Sequence, residues 1–152
     1  MTGAPPCDFC ILRSGDGESA FFACMGRFFA CPEVRRDCGG YPLNDGPAYL
    51  WFVARRRCDG RVLGFVSIEQ GAGIVRIRHG YVVPEARGLG LFRQLRRQVL
   101  AHIDDQGVRC ATSVPLADLP FLAPWGFRLR HQRGGWVTLE RTVNARVEPP
   151  HP

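Results

Sequence analysis

The strongest constraint on the fold lies in the middle of the chain, where the spacing of the apolar residues changes abruptly. From Ile74 to Val83 apolar residues alternate with other residues, which is typical of a β-strand with one buried face. Beyond Gly90 they recur every three or four residues, as in an amphipathic helix, at Phe92, Leu95, Val99 and Ile103. A strand that passes through a glycine-bearing turn into a helix points several main-chain N–H groups at one place, where a phosphate can bind.

The strand before this turn is the third of a series. Apolar runs at Tyr49–Ala54 and Val62–Glu69 precede it, and glycine-containing turns separate all three. Because such short turns join antiparallel neighbours, the sequence predicts an antiparallel meander. Strict alternation in the third strand predicts that Arg76 and Arg78 lie on one face. The other face is then predicted to carry Val75, Ile77, His79, Tyr81 and Val83.

The C-terminal third contains three further elements. The pattern predicts a strand over 108–114, a short helix over 117–123, and a hairpin formed by 127–131 and 136–142. Together with the central segment, this order predicts one domain of the α/β (α+β) class.

The N-terminal 47 residues are interpreted as a cysteine-rich part of the same domain. They contain a predicted strand near Phe9–Arg13 and a predicted helix over Glu18–Ala30. The core is assigned to residues 48–142, and residues 143–152 are predicted to form a flexible tail. Cys7 and Cys10 have the spacing of zinc ligands, but no second pair completes a site, so no metal is expected and the seven cysteines are predicted to be free thiols.

Charge and composition restrict the partners of the chain. The formal net charge is +6, and all 20 basic residues are arginines, which bind phosphate well. Charge alone does not distinguish a phosphate-bearing cofactor from nucleic acid. No apolar run approaches the roughly 20 residues needed to cross a bilayer, and the N-terminus has no signal-peptide pattern, so we expect a cytoplasmic protein without a membrane partner.

Two common phosphate loops do not fit the glycine turn. A Walker loop requires a lysine, and the chain has none. The dinucleotide fingerprint requires a third glycine, where Arg93 stands. The segment Arg87-Gly88-Leu89-Gly90-Leu91-Phe92 instead resembles the acetyl-CoA signature of the GNAT acyltransferase superfamily. Gly126-Phe127 after the short helix, and the last strand, resemble later parts of that family, so the resemblance spans about residues 48–142.

This resemblance implies a fold, a cofactor and a reaction. The implied fold is a central mixed, mostly antiparallel twisted sheet of about six to seven strands flanked by helices. The implied reaction is N-acyl transfer from acetyl-CoA to a primary amine, which attacks the thioester directly. The implied pyrophosphate site consists of main-chain amides of Leu89, Gly90, Leu91 and Phe92, with Arg87 and Gly88 shaping the approach. The implied pairing of the pantetheine arm with the preceding strand involves Tyr81, Val82 and Val83.

Two positions depart from the family pattern. Phe92 stands where the signature has a small residue, so its ring either narrows the site or turns into the core. Phe121-Leu122 stands where the family has a Phe-Tyr pair, so the usual acid that protonates the thiolate is missing. An amine nucleophile still needs a base near neutral pKa. The candidates for proton transfer are His79, Glu69 and Tyr81.

The acceptor amine and the oligomeric state, with a homodimer as one option, stay open at this point. One alternative acceptor is nucleic acid or charged tRNA, which the Arg55–Arg57 cluster favours together with the arginines predicted on the outer side of the long helix, Arg93, Arg96 and Arg97. Another alternative is a catalytically degenerate domain that binds coenzyme A or a protein partner, which Phe92 and Leu122 favour.

Overall fold

A seven-stranded sheet forms the centre of the computed structural model, which describes residues 5–142. The predicted tail, 143–152, lies outside the described residues. The strands are β1 (Cys7–Leu12), β2 (Tyr49–Arg56), β3 (Val62–Gln70), β4 (Ile74–Val82), β5 (Arg109–Pro115), β6 (Arg128–Arg133) and β7 (Trp136–Arg141). They lie in the order β1-β2-β3-β4-β5-β7-β6, and every neighbouring pair is antiparallel except β4 and β5. The predicted mixed, mostly antiparallel α/β sheet is therefore confirmed.

Helices cover the sheet on both faces. The α-helices of the described residues are α1 (Glu18–Ala30), α2 (Pro32–Asp37), α3 (Leu91–Gln106) and α4 (Leu119–Leu122). The first of these has the predicted bounds, whereas α2 was not separated in the sequence. The short helix predicted after β5 is a single α-helical turn between two 3-10 turns. No helix in the described part of the chain is long and apolar enough to cross a membrane.

The two sheet faces are buried by different helices. On one face, rings of α1 meet rings of the sheet, with Phe21 5.9 Å from Trp51 and Phe28 5.2 Å from Phe65 between centroids. On the other face α3 lies so close to β3 that a Cβ atom on Gly64 would be 3.2 Å from Leu95. Because both faces are covered, β2 and β3 are apolar on both sides and show no alternation.

A β-bulge in β4 corrects the predicted arrangement of that strand. Ser67 of β3 pairs with His79, but the next residue of β3, Ile68, pairs with Ile77, so Arg78 is an extra residue in β4. An inserted residue reverses which face the following side chains occupy. His79 and Tyr81 therefore lie on the α1 face and Ile77 lies on the α3 face, and the prediction that all three share one face was wrong.

The bulge also separates β4 from β5. The parallel pairing between these strands runs only from Ile74 to Ile77 on β4 and from Arg109 to Thr112 on β5. Beyond that point the remainder of β4 has no strand on this side. The two strands diverge and leave a cleft that passes through the sheet.

We predict that an ion pair between the buried Arg141 and the partly exposed Asp104, at the C-terminal end of α3, stabilises the fold. Arg141 is buried, donates through Nε to the carbonyl of Trp125 (2.7 Å), and donates through Nη2 to Asp104 (2.9 Å). Asp104→Asn should lower the free energy of unfolding by about 2–3 kcal/mol, because the buried guanidinium loses its counter-charge. Urea titration followed by tryptophan fluorescence measures this.

The control variant is Arg130→Gln, which removes an ion pair of 2.8 Å with Glu140 at an exposed arginine. Exposed pairs contribute about 0–1 kcal/mol, so this variant should remain close to the native protein. Equal losses in the two variants would contradict the structural role of Asp104.

Candidate functional site

The turn before α3 presents a set of main-chain N–H groups without main-chain partners. Gly88 and Gly90 have φ of 76° and 82°, values that favour glycine and that direct successive N–H groups to the same side. The first main-chain hydrogen bond of α3 runs from Gln94 N–H to the carbonyl of Gly90 (3.1 Å). Within residues 5–142, no N–H group from Gly88 to Arg93 has a main-chain acceptor. This turn therefore has the electrostatics of an anion site.

The Arg87 side chain lies beside this turn and connects two elements. Its Nε donates to the carbonyl of Val82 (2.8 Å), and its Nη2 donates to Asp37 at the end of α2 (2.9 Å). The guanidinium carbon is 5.2 Å from the centre of the Tyr81 ring. Arg87 thus fastens α2 to the open edge of β4 and adds positive charge to the turn.

A first cavity of about 510 Å³ lies between the turn and β4. Among the residues predicted to bind the cofactor, those that line it are Val82, Arg87, Gly88, Gly90, Leu91 and Phe92. Leu89 does not line it. Val83 does not line it either, because its N–H is directed into the sheet and donates to the carbonyl of Leu63 (2.8 Å).

A second cavity of about 570 Å³ occupies the cleft between β4 and β5. It shares Asp37, Gly80 and Phe92 with the first cavity, so the two cavities meet at these residues. Its walls include His79 on one sheet face and Val99 of α3 on the other. The two cavities together extend from the phosphate turn to the interior of the cleft.

The Phe92 ring stands where the two cavities meet. A Cβ atom on Gly80 would lie 2.7 Å from Cζ of Phe92, so the ring packs directly on the glycine main chain. The side chain is 37% exposed and the guanidinium of Arg96 lies 5.4 Å from the ring centre. Of the two alternatives that the sequence left open, the structure supports a ring that narrows the site.

The position of Arg96 differs from the prediction that this arginine lies on the outer side of α3. Instead of projecting into solvent, its side chain is half-buried, 5.7 Å from the Trp125 ring, and lines the second cavity. Burial lowers the pKa of its guanidinium, and the neighbouring charge of Arg93 adds to this effect.

His79 is the member of the predicted proton-transfer set that lines the second cavity. Its main-chain N–H donates to Oγ of Ser67 (3.1 Å), and its Nε2 accepts the main-chain N–H of Asn44 (3.4 Å). Burial lowers the pKa of the imidazole, and the charge of Arg78 lowers it further. His79 is therefore neutral at pH 7, as a base must be.

Tyr81 and Glu69 do not line the cavity that His79 lines. Tyr81 lines the first cavity, and burial raises the pKa of its hydroxyl, which stays protonated at neutral pH. Glu69 lines neither cavity and lies 3.5 Å from Nε of Arg78. The three predicted residues thus occupy three separate places around the bulge.

Several residues of the cavities were missed in the sequence. The half-buried thiol of Cys38 donates to the carbonyl of Gly80 (3.6 Å), and burial raises its pKa to about 11, so it carries a proton at neutral pH. Phe121 and Leu122, which the sequence had already marked as a departure from the family pattern, line the second cavity without a hydroxyl group; Leu122 is buried and Phe121 is exposed. Cys38 and the two glycines after it are visible in the sequence, but nothing local links them to β4.

The cysteines form neither disulfides nor a metal cluster in the described residues. All seven are free. Cys7 and Cys10 lie on β1 opposite Arg56 and Val53, and an odd spacing on a strand directs side chains to opposite faces. Between residues 5 and 142, no three His, Cys, Asp or Glu side chains are grouped in a way that could hold a metal ion.

We predict that Gly80 and Phe92 are energetically coupled. Gly80→Ala should lower the free energy of unfolding by about 1–3 kcal/mol, because the new methyl group overlaps the Phe92 ring. In a Phe92→Ala background the same substitution should cost less than about 1 kcal/mol. Denaturant unfolding of the four proteins gives the coupling energy, and additive losses would show that the two positions do not touch.

Comparison with known proteins gives a structural match without a sequence match. No protein-family model matches the chain, and no curated protein sequence matches it. An acyl-CoA N-acyltransferase from Pseudomonas aeruginosa has a similar structure, with a TM-score of 0.70 at 18% identity over 90% of this chain and 100% of that one.

Two further solved structures are similar to this chain. GCN5 from Tetrahymena gives a TM-score of 0.71 at 15% identity, over 92% of this chain and 98% of that one. PaiA N-acetyltransferase from Thermoplasma acidophilum, solved in complex with coenzyme A, gives 0.57 at 15% identity, over 89% and 99%. With its seven-stranded sheet, the split between β4 and β5, and these matches, the chain has the fold of the GNAT superfamily.

Proposed function

We propose that this protein is an N-acyltransferase that moves an acetyl or related acyl group from acetyl-CoA to a primary amine. The observation that carries the proposal is the set of N–H groups from Gly88 to Arg93 without main-chain acceptors, beside a cavity that meets the β4–β5 cleft at Gly80. A pyrophosphate fits the turn by charge and hydrogen bonding. The cleft next to it gives the reactive end of the same cofactor a place inside the sheet.

The open edge of β4 suits the pantetheine arm. The main-chain groups of Gly80 and Val82 point away from β3, because their carbonyls accept hydrogen bonds from Cys38 and Arg87. An extended arm that carries amide groups can bind such an edge as an additional strand would. Phe92 lies across this path, so the ring has to rotate away from Gly80 when the arm binds.

In the proposed reaction the neutral amine attacks the thioester carbonyl directly. A C–N bond forms, the C–S bond breaks, and coenzyme A leaves as the thiolate. The proton lost by the amine is accepted by Nε2 of His79, directly or through a water molecule, once the long hydrogen bond from the Asn44 N–H (3.4 Å) to that nitrogen opens. His79 then returns the proton to water, and the departed thiolate of coenzyme A takes up a proton from solvent, since no acid stands at the usual position.

A catalytically inactive domain that binds coenzyme A is the second candidate function. It is favoured by Leu122, which places a buried alkyl group on α4 at the position where the family pattern has an acid. The nucleic-acid alternative receives no such support. Arg56 and Arg57 of the basic cluster form ion pairs with Asp59 (2.6 Å) and Asp8 (2.8 Å).

We predict that acetyl-CoA stabilises the protein through the glycine turn. At a concentration of about 100 times its dissociation constant, a ligand adds roughly 2.7 kcal/mol, which raises the thermal midpoint by several degrees. Gly90→Glu should abolish the shift, because it places a carboxylate where the pyrophosphate would bind. Differential scanning fluorimetry with millimolar acetyl-CoA measures both.

Gly73→Glu provides a matched control. Gly73 has φ of 74°, close to that of Gly90, and neither position has an atom within 4 Å of a built Cβ atom. Both variants therefore carry the same backbone strain, but Gly73 lies in the β3–β4 turn and should keep the shift. Absence of a shift in the folded native protein would sink the proposal.

We predict that His79 governs the acidic side of the pH–rate profile. A base must be neutral, so activity is complete above its pKa and is lost as pH falls through it; with the pKa lowered from 6.5, this loss should occur below pH 6.5. His79→Gln should reduce kcat/KM by about 100-fold and remove this limb.

The control for His79 is His102→Gln. His102 lies on α3, where its Nε2 is 2.9 Å from the side-chain amide of Gln106, and it lines neither of the two cavities. This variant should keep both the native rate and the native profile. An unchanged acidic limb in His79→Gln would assign the base to another group.

A further inference from the structure

The second cavity has two sides with different chemistry. The end of α2 meets the sheet face that carries His79, and it contributes Cys38 and Gly39 to the wall. Trp136 belongs to the same side, because a Cβ atom on Gly39 would lie 3.2 Å from its ring. The phosphate turn belongs to α3, on the opposite face, so a cofactor bound there leaves the α2 side for the acceptor amine.

The carboxylates on the α2 side are already paired with arginines. Asp37 accepts a hydrogen bond from Arg87 (2.9 Å) and lies 3.9 Å from Arg36, and Glu69 lies 3.5 Å from Arg78. Arg36 and Arg78 themselves line the cavity. A polycation would therefore meet guanidinium groups without a free counter-charge, which disfavours its binding.

Asp118 is the other carboxylate in the wall of the cavity. It follows β5 and acts electrostatically on Arg96, whose side chain projects from α3. Asp118 therefore lies near Arg96, on the α3 side of the cavity.

The α2 side of the second cavity presents aromatic surface instead of unpaired carboxylates. The Trp136 side chain is 43% exposed, and the glycine main chain of Gly39, with φ of 90°, supports its ring. Pro115, which pairs with Trp136, contributes further apolar surface on this side, and Phe121 of α4, which is 69% exposed, lines the cavity elsewhere. Exposed rings at the mouth of a cavity bind apolar ligands through burial and ring packing.

We propose that the acceptor is a small primary amine with an aromatic or similarly bulky apolar body and no second positive charge. This inference rests on the transfer reaction proposed above. The ring of the acceptor packs against Trp136, and its amino group extends toward His79 and the thioester. Polyamines and lysine-rich peptides are poor acceptors, because the α2 side offers them no unpaired carboxylate.

Calorimetric titration of the full-length protein, with and without coenzyme A, tests this without requiring turnover. 2-Phenylethylamine should bind at least about tenfold more tightly than spermidine. Trp136→Ala should weaken the binding of 2-phenylethylamine by roughly tenfold, as expected for the loss of one aromatic contact surface. Trp136→Phe should retain most of the affinity. Leu129→Ala, at a 47% exposed residue outside the cavity, should have no effect.

Equal or tighter binding of spermidine would overturn the inference, and so would native affinity for 2-phenylethylamine in Trp136→Ala. Mass spectrometry of the N-acetylated products, measured in parallel, separates this result from the proposed activity. Binding of 2-phenylethylamine without acetylation would support the aromatic site and contradict the proposed transferase activity. Preferential acetylation of spermidine would support the transferase activity and contradict the aromatic acceptor.

Discussion

The single inserted residue in β4 determines the shape of the site. Without Arg78 the ladder between β4 and β5 could continue, and the sheet would be closed where the cleft now lies. An unpaired strand edge inside a protein is unfavourable unless its polar groups find partners. Cys38 and Arg87 supply them, at the carbonyls of Gly80 and Val82. Two side chains, one at the end of α2 and one at the glycine turn, thus satisfy these two carbonyls while the edge itself carries no strand.

Much of the fold could be predicted from the sequence because its signals are local. The bounds of α1, the meander of β2 to β4 and the hairpin of β6 and β7 follow from apolar periodicity and from glycine turns. The faces of β4 could not be predicted, because a bulge depends on the register with β3 and leaves the composition of the strand unchanged. The short helix α2 was missed for a related reason: four of its six residues are charged, and its role depends on distant partners.

One part of the candidate site could also be predicted from the sequence, and another part could not. The phosphate turn was visible because glycines stand at its two positions of positive φ. The second cavity was not visible, because it brings together Gly39, Gly80 and Trp136, which are far apart in sequence. The sequence likewise offered His79, Glu69 and Tyr81 for proton transfer without showing which of them share a site. The structure places His79 in the wall of the second cavity, Tyr81 in the wall of the first, and Glu69 in neither.

The ion pairs of the protein have a chemical consequence of their own. Each ion pair between described side chains is formed by an arginine, and the chain contains no lysine. A guanidinium group keeps its proton at any physiological pH and is a poor nucleophile, whereas the amine of a lysine is slowly acylated by reactive thioesters. Under the proposed function, an activated acyl group bound in the cleft therefore meets no lysine amine of the protein. The positive side chains that form its salt bridges are therefore not acylated by the thioester proposed to bind in the cleft.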